Sequence, residues 1–154
     1  MTDRPILRTE RLLLRPFTLD DAPAVERYVS AREIAATTLL IPHPYPPGEA
    51  ERWISGHQQA FEEERNVVFA VTLPEGGEVV GAIALMLTPK DDRGEIGYWI
   101  GLPHWGRGYA SEAAAAVLRK LGMRHEGTLR QLHKKWDQYV DAEVYAMLRS
   151  EWPG

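Results

Sequence analysis

The short connections between three β-rich runs place the strongest limit on how this chain can fold. Residues 67–72, 79–87 and 95–100 are rich in Val, Ile and aromatic residues, and only turn-length segments, 74–77 and 89–94, join them. Parallel strands need crossovers of about a dozen residues or more. These runs are therefore predicted to pair antiparallel, as a meander.

Segments with helical spacing lie on both sides of the meander. Thr18 to Asp21 has the spacing of a capping box, with Pro23 among the first helical positions that follow. A second helix is predicted where Trp53, Ile54, His57 and Phe61 recur on one face, and a third over residues 111–121 with Gly122 as its C-cap. Residues 12–14, 127–134 and 139–148 read as further strands. The prediction is an α+β fold in which helices flank a mainly antiparallel, mixed sheet.

Composition excludes several classes of protein. The 154 residues suit one domain, predicted to span 1–154, and the net charge of −4 carries no polybasic signature of nucleic-acid or membrane binding. There is no cysteine, which excludes disulfides, thiolate metal sites and a Cys nucleophile, and we predict no metal site. With no apolar run of signal-peptide or membrane-span type, a cytoplasmic protein is expected.

A glycine-rich segment lies where strand 95–100 leads into helix 111–121. Gly106 and Gly108 flank Arg107 just before the helix. Helix N-termini leave N–H groups unpaired and carry partial positive charge, so they bind phosphate groups when they face a cleft. The glycines would allow close approach of the anion, and Arg107 could add a charge-assisted contact. An ordinary strand–helix turn is the alternative reading of the glycines alone.

A dinucleotide-binding loop is a second alternative. Residues 106–111 approximate G-x-G-x-x-G, although Ser111 takes the last glycine position, and Glu126 follows at a suitable distance. That fingerprint belongs to a parallel βαβ unit. The strands before this loop are predicted hairpins, which disfavours the dinucleotide reading.

Four motifs in order resemble the GCN5-related N-acetyltransferase superfamily, and within it the ribosomal-protein N-terminal acetyltransferases. The superfamily loop reads Q/R-x-x-G-x-G/A, and here Trp105 stands at the Gln/Arg position, Gly108 at the first Gly and Ala110 at the last. The other similar stretches are Thr9-Glu10-Arg11-Leu12-Leu13-Leu14-Arg15-Pro16, Lys120-Leu121-Gly122-Met123-Arg124-His125-Glu126-Gly127-Thr128-Leu129-Arg130, and Tyr139-Val140-Asp141 with Tyr145, Leu148 and Trp152. Together they cover nearly the whole chain.

The resemblance implies an acetyl-coenzyme A (acetyl-CoA) cosubstrate and a place for it. In the superfamily the fourth strand bulges and pairs with the pantetheine arm through its backbone, which implies that role for Tyr98, Trp99 and Ile100. The loop implies a pyrophosphate site made by Trp105, Gly106, Arg107, Gly108, Tyr109, Ala110 and Ser111. A backbone N–H in this region could stabilise the oxyanion of the tetrahedral intermediate.

The implied reaction is direct attack of an amine on the thioester, which needs no protein nucleophile. An α-amine, with a pKa of about 8, loses its proton more readily than a Lys amine at about 10.4. The expected acceptor is a protein or peptide N-terminus, and polyamines or antibiotic amines are alternatives. Glu95 is the candidate general base, through a water molecule, and a solvated strand residue is its alternative role. His104 could contact a phosphate but is expected to be an ordinary loop residue.

The chain departs from the superfamily inside the helix that follows the loop. In relatives, a fifth strand and the start of another helix separate the segments that here join directly at Ala116 and Val117. From average element lengths, roughly 25–30 residues are absent. In relatives that part holds an Asn near the cofactor, a Ser or Tyr that protonates the departing thiolate, and the second wall of the cleft. A natural deletion, a truncated gene and a segment missing from the chain as recorded are all open explanations.

Three consequences of the missing part are expected. Residues 111–121 contain neither Gly nor Pro and should form one uninterrupted helix. The outer edge of strand 95–100 should be open, pair with residues 139–148, or be completed by a second chain, which makes a homodimer one expected outcome. An impaired acyl-CoA-binding or structural relative is the alternative to an active enzyme.

Overall fold

A computed structural model describes residues 3–38, 41–75, 77–91, 93–136, 138–146, 148 and 150. The strands are β1 (Leu7–Arg8), β2 (Leu13–Arg15), β3 (Asn66–Thr72), β4 (Val79–Thr88), β5 (Arg93–Ile100), β6 (Arg124–Lys135) and β7 (Gln138–Ala146). The α-helices are α1 (Ala22–Val29), α2 (Arg32–Ala36), α3 (Glu49–Ser55), α4 (His57–Glu62) and α5 (Tyr109–Leu121). None of the described helices is long and apolar enough to cross a membrane.

The predicted meander is confirmed as the centre of an antiparallel sheet. Strands β1 to β5 follow one another in the order of the chain, and every described pair is antiparallel. Strands β6 and β7 form a separate two-stranded sheet. The two sheets and the flanking helices give the predicted α+β class.

The five-stranded sheet carries helices on both faces. Since side chains alternate across a strand, Trp99 of β5 and its partner Ala82 of β4 turn to one face, where they pack with α1, α2 and α3. Ile100 turns to the other face and packs with the buried side of α5, which presents Tyr109, Ala113 and Val117 at intervals of four residues. The end of β5 is therefore enclosed between α1 and α5.

The predicted capping box connects β2 to the start of α1. The Asp21 carboxylate accepts a 2.8 Å hydrogen bond from the Thr18 N–H and binds the Arg15 guanidinium at 2.8 and 2.9 Å. Burial alone would raise the pKa of Asp21, but the bonds from Arg15 and Thr18 outweigh it and hold that pKa below its ordinary value. Asp21 therefore stays ionised, as both of its contacts require.

The second predicted helix is two helices, α3 and α4, because the helical run is interrupted at Gly56, which caps the end of α3 and the start of α4. His57 begins α4, and its buried ring packs edge-on against Trp53, with centroids 4.4 Å apart, and beside Phe17 at 5.7 Å. Neither ring nitrogen has a hydrogen-bond partner in the described part of the chain. Burial, together with the positive charge of Arg4, lowers the pKa of His57 to about 4.

The missing segment leaves α5 uninterrupted and the edge of β5 open. Helix α5 runs without a break to Leu121 as predicted, although it begins at Tyr109, two residues before the predicted start, and Gly122 caps it with a φ of +70°. β7 contacts β5, yet in the described residues it forms a ladder only with β6. Of the three expected arrangements of the β5 edge, the described part of the chain thus shows the open one.

The bulge that the resemblance implied is not present in β5. Its pairing with β4 keeps one register from Gly81 opposite Ile100 to Thr88 opposite Arg93. Gly81 accounts for this close pairing, because a Cβ there would lie 2.3 Å from the Trp99 carbonyl oxygen. The backbone of β5 therefore reaches the glycine-rich loop as a regular edge strand.

His57 predicts that acid destabilises this fold. Its folded-state pKa of about 4 lies below the ordinary 6.5, so as the pH falls the unfolded chain takes up the proton first. The contribution of the neutral ring is complete above about pH 6.5 and is lost as the pH falls towards 4, at no more than about 1.4 kcal/mol per pH unit.

Urea unfolding of wild type, His57→Phe and His43→Gln between pH 7.5 and 5 measures this effect. The His57→Phe variant should lose less stability on acidification than wild type. His43→Gln removes an exposed imidazole and should follow wild type. Parallel pH profiles for all three proteins would contradict the assignment to His57.

Candidate functional site

The loop between β5 and α5 directs the first N–H groups of α5 into open space. After a short 3-10 turn at Leu102–His104, the backbone passes through Gly106 and Gly108 with φ angles of +76° and +78°. Gly108 is the N-cap of α5. A Cβ at Gly106 would meet no atom within 4 Å. Left-handed backbone at two nearby positions explains the glycines, and the open N-terminus of a 13-residue helix suits an anion.

Two aromatic side chains, Trp105 and Tyr28, hold the part of the loop that follows β5. The Trp105 indole N–H donates a 2.6 Å hydrogen bond to the Ile100 carbonyl. The Tyr28 ring lies so close to Gly101 that a Cβ there would be 2.5 Å from it. These contacts fix the path of the backbone between the strand and the helix.

His104 anchors the loop to Tyr28 and Glu78. Its buried Nε2 lies 3.2 Å from the Tyr28 hydroxyl and 3.5 Å from a carboxylate oxygen of Glu78. The Tyr28 hydroxyl also lies 3.4 Å from Glu78. The ring is therefore engaged between α1 and the start of β4, which agrees with the expectation of a structural loop histidine.

A cluster that sequence reasoning missed holds the far side of the loop. The Glu112 carboxylate, in the first turn of α5, accepts hydrogen bonds from the Thr9 hydroxyl, from the Arg11 N–H at 3.0 Å and from Arg11 Nε at 2.8 Å. Arg11 Nη1 donates to the Arg107 carbonyl at 2.8 Å. About a hundred residues separate the partners, so only the motif around Thr9 and an acidic residue in a first helical turn could have suggested the contact.

The protonation state of Glu112 follows from these contacts. Partial burial would raise its pKa, but the hydrogen bonds from Thr9 and Arg11 outweigh that effect and lower the pKa below its ordinary value. The carboxylate is thus an anion that fixes the start of α5 to the turn between β1 and β2.

The outer edge of β5 presents the backbone groups of alternate residues. The Gly101 N–H donates to the Val80 carbonyl of β4 at 2.8 Å, so Gly101 faces β4. By the antiparallel alternation, the N–H and C=O groups of Tyr98 and Ile100 face outward, and those of Trp99 face β4. The Trp105 bond to the Ile100 carbonyl agrees with this assignment. Trp105 thus covers one outward carbonyl, while the edge at Tyr98 has no strand partner in the described residues.

Glu95 lies farther along β5, away from the loop. Its exposed side chain lies on the same face of the strand as Trp99, the face covered by α1 to α3. Five residues of strand separate it from Ile100, a distance of about 17 Å. A molecule held at the loop would have to extend along the β5 edge to bring a reacting group near Glu95. The structure thus places Glu95 on the same strand as Tyr98, Trp99 and Ile100, at the end of β5 that lies away from the loop.

Comparison with known proteins connects this arrangement to a family. Residues 11–148 match the family model described as an acetyltransferase (GNAT) domain. The uncharacterized N-acetyltransferase p20 of Bacillus licheniformis is 27% identical over 176 aligned positions, covering 96% of this chain and 98% of that protein.

Two solved structures are similar to this chain. An acetyltransferase (GNAT family) from Bacillus anthracis is 26% identical, with a TM-score of 0.67 and coverage of 96% of this chain and 100% of that one. RimL, a ribosomal L7/L12 α-N-protein acetyltransferase solved with coenzyme A, is 18% identical, with a TM-score of 0.67 and coverage of 92% and 96%. At that identity, RimL shows a shared fold.

The aligned lengths bear on the segment that this chain lacks. Because 96% of 154 residues is about 148, about 28 of the 176 positions aligned with p20 have no counterpart here. The N-acetyltransferase YoaA of Bacillus subtilis aligns over 173 positions with 94% of this chain, about 145 residues, which leaves the same difference. Both values agree in size with the roughly 25–30 residues inferred from average element lengths.

The glycine at the N-cap of α5 gives a test of the loop. Gly108→Ala should weaken coenzyme A binding, because the left-handed backbone is strained by a Cβ and the N–H groups shift. Gly48→Ala is a matched control: Gly48 caps α3 with a φ of +79° and nothing within 4 Å of its Cβ position.

Isothermal titration and thermal unfolding separate the two effects. Both variants should lose a similar stability, of the order of 1 kcal/mol, but only Gly108→Ala should lose affinity, by about tenfold. Equal affinities of the two variants for coenzyme A would exclude the loop as the binding site.

Proposed function

Because this chain belongs to the GNAT acetyltransferase family, we propose that it transfers the acetyl group of acetyl-CoA to the α-amine of a protein or peptide N-terminus. The family supplies the acetyl-CoA-dependent N-acetyltransferase reaction. The α-amine is the proposed part. It draws support from the fold shared with RimL and with an acetyltransferase of Salmonella typhimurium that modifies the N-terminal serine of ribosomal protein L7/L12. Because the acceptors of these two proteins are ribosomal, the cytoplasm is the proposed place of the reaction.

The observation that carries the proposal is the alignment of an open helix N-terminus with an open strand edge. The N–H groups of the loop and of the first turn of α5 would hold the pyrophosphate. The proposed contacts are those of Trp105, Gly106, Arg107, Gly108, Tyr109, Ala110 and Ser111. The left-handed glycines and the free space at Gly106 fit a phosphate group approaching the backbone.

The outward groups of β5 would receive the rest of the cosubstrate. The Tyr98 N–H and C=O face the edge and suit the amide groups of a pantetheine arm. Ile100 keeps its outward N–H, since only its carbonyl bonds to Trp105. Trp99 would support this site indirectly. Its buried indole packs near Tyr28, with ring centroids 6.4 Å apart, and holds β5 in place.

The reaction itself requires one proton to leave the amine. The neutral amine nitrogen attacks the thioester carbonyl carbon, the C–S bond breaks, and the thiolate departs. The proposed base is Glu95, exposed at the far end of the edge, which would take the proton through a water molecule. An outward N–H of β5 would stabilise the developing oxyanion. The thiolate takes its proton from solvent.

A panel of acceptors tests both the α-amine and Glu95. One peptide carries a free N-terminal serine, a second carries the same sequence with a blocked N-terminus and a free Lys, and a polyamine completes the set. Release of free thiol from acetyl-CoA reports turnover. The free α-amine should react fastest, since its pKa is about 8 against about 10.4 for Lys.

With the best acceptor, Glu95→Gln should lower kcat by about 100-fold and leave the affinity for acetyl-CoA unchanged. Glu33→Gln, which removes an exposed carboxylate from α2, is the control and should behave as wild type. A variant with full kcat from pH 6 to 9 would show that Glu95 is not the base. Preference for the polyamine would refute the α-amine, and wild type that binds acetyl-CoA without turning over any acceptor would favour the impaired relative.

Exposed apolar side chains on and near β5 also support a homodimer as part of the proposal. Tyr98, Leu129, Leu132 and Tyr139 expose about half of their surface or more on β5 and on the β6–β7 hairpin. Exposed apolar side chains favour association with another chain, and association through these side chains leaves the backbone groups of Tyr98 available for the cosubstrate. Sedimentation over a range of concentrations should give twice the monomer mass of 17.4 kDa. A monomer at every concentration would contradict it.

A further inference from the structure

Arg11 holds a positive charge at the N-terminus of α5. Its guanidinium lies 4.8 Å from the centroid of the Tyr109 ring, with Nε bonded to Glu112 and Nη1 bonded to the Arg107 carbonyl. The third nitrogen, Nη2, has no acceptor among the described residues and would lie 3.4 Å from a Cβ at Gly108. Two nitrogens of the guanidinium, Nε and Nη1, are thus held by hydrogen bonds, and the third, Nη2, lies near Gly108, the N-cap of α5.

Electrostatics make this an unusual place for a cation. The N-terminus of a helix carries partial positive charge, which disfavours a guanidinium. Arg107, in the same loop, adds a second positive charge. The ionised Glu112 offsets part of this charge, but its oxygens already accept three hydrogen bonds from Thr9 and Arg11. An anion at the start of α5 would relieve the remaining repulsion.

We propose that Arg11 binds the pyrophosphate of acetyl-CoA directly, through the free Nη2 of its guanidinium. This inference rests on the proposed position of the pyrophosphate at the loop. Arginine suits the role because its planar fork can hold protein acceptors with two corners and a phosphate oxygen with the third. Glu112 and Thr9 then act as positioning residues that fix the guanidinium before the cosubstrate arrives, so that little side-chain entropy is lost on binding.

Two segments that lie far apart in the sequence therefore meet at the proposed anion site. The turn between β1 and β2 supplies a side chain, and α5, about a hundred residues later, supplies backbone N–H groups. A purely structural role for Arg11 would require only the hydrogen bonds to Glu112 and Arg107, and it would not account for Nη2, which has no acceptor among the described residues. This difference makes the proposal testable with ligands that differ in their phosphates.

The experiment is isothermal titration of full-length wild type, Arg11→Met and Arg11→Lys with three ligands. Coenzyme A carries the pyrophosphate and the 3′-phosphate, dephospho-coenzyme A carries only the pyrophosphate, and pantetheine carries neither. Methionine retains an apolar stem over the Tyr109 ring. Arg27→Met is the matched control, because Arg27 is also exposed and lies at the same 4.8 Å from a tyrosine ring, that of Tyr28.

Arg11→Met should weaken coenzyme A and dephospho-coenzyme A alike, by about 10- to 100-fold, and leave pantetheine unchanged. Arg11→Lys, which keeps the charge and loses the fork, should fall between, and it decides the question if Arg11→Met does not fold. Arg27→Met should bind all three ligands as wild type does.

Other results would overturn the proposal in distinguishable ways. Equal weakening of pantetheine would show that Arg11 is only structural, and loss confined to coenzyme A would assign Arg11 to the 3′-phosphate. Unchanged binding in both Arg11 variants would exclude any contact. If wild type itself binds neither phosphorylated ligand, the loop site and this inference both fail, whereas tight wild-type binding with unaffected variants refutes only the inference.

Discussion

The geometry of the candidate site depends on the hydrogen bonds that the Glu112 carboxylate accepts from Thr9 and Arg11. Helix α5 packs against the sheet through apolar contacts. Such contacts are not directional, so they fix the distance between helix and strands more firmly than the position of the helix along its own axis. The directional bonds from Thr9 and Arg11 to Glu112 set that position, because they join the first turn of α5 to the turn between β1 and β2. The place where the helix N–H groups meet the end of β5 follows from this one contact.

The absent segment gives β5 two opposed properties. With no strand paired to its outer edge in the described residues, β5 leaves backbone groups available for the proposed binding of the cosubstrate. The same free groups invite pairing with another chain. Gly81 keeps β5 close to β4 without a bulge, and Trp105 covers the outward carbonyl of Ile100. Backbone groups thus remain unpaired by any strand near Tyr98 in the described residues, whereas Trp105 covers the Ile100 carbonyl at the end of the strand next to the loop.

Local signals in the sequence were enough to predict the frame of the fold. Short turns required the antiparallel meander, the capping box before Ala22 marked α1, and the lack of Gly and Pro after Ser111 predicted one continuous α5. The sequence did not reveal the break at Gly56 or the short helix α2, since five residues carry almost no periodic pattern. The bulge taken from the resemblance was wrong, because it depends on how closely β4 approaches. The cluster of Thr9, Arg11 and Glu112 joins residues about a hundred positions apart, which no spacing rule can anticipate.

The chemistry of the proposed reaction indicates what a shortened cleft would have to supply. In the proposed reaction the parts that remain would act through backbone groups: the N-terminus of α5 and the edge of β5 need a defined path of the chain. The resemblance to the superfamily implies that the lost segment would supply side chains, above all the acid that protonates the thiolate. A thiol has a pKa of about 8.5 and an α-amine of about 8. Since both values lie near neutrality, the thiolate can depart unprotonated and the amine loses its proton at modest cost. An α-amine acceptor therefore demands least from the proposed base, Glu95, whereas a Lys acceptor would add about two pKa units to the proton transfer.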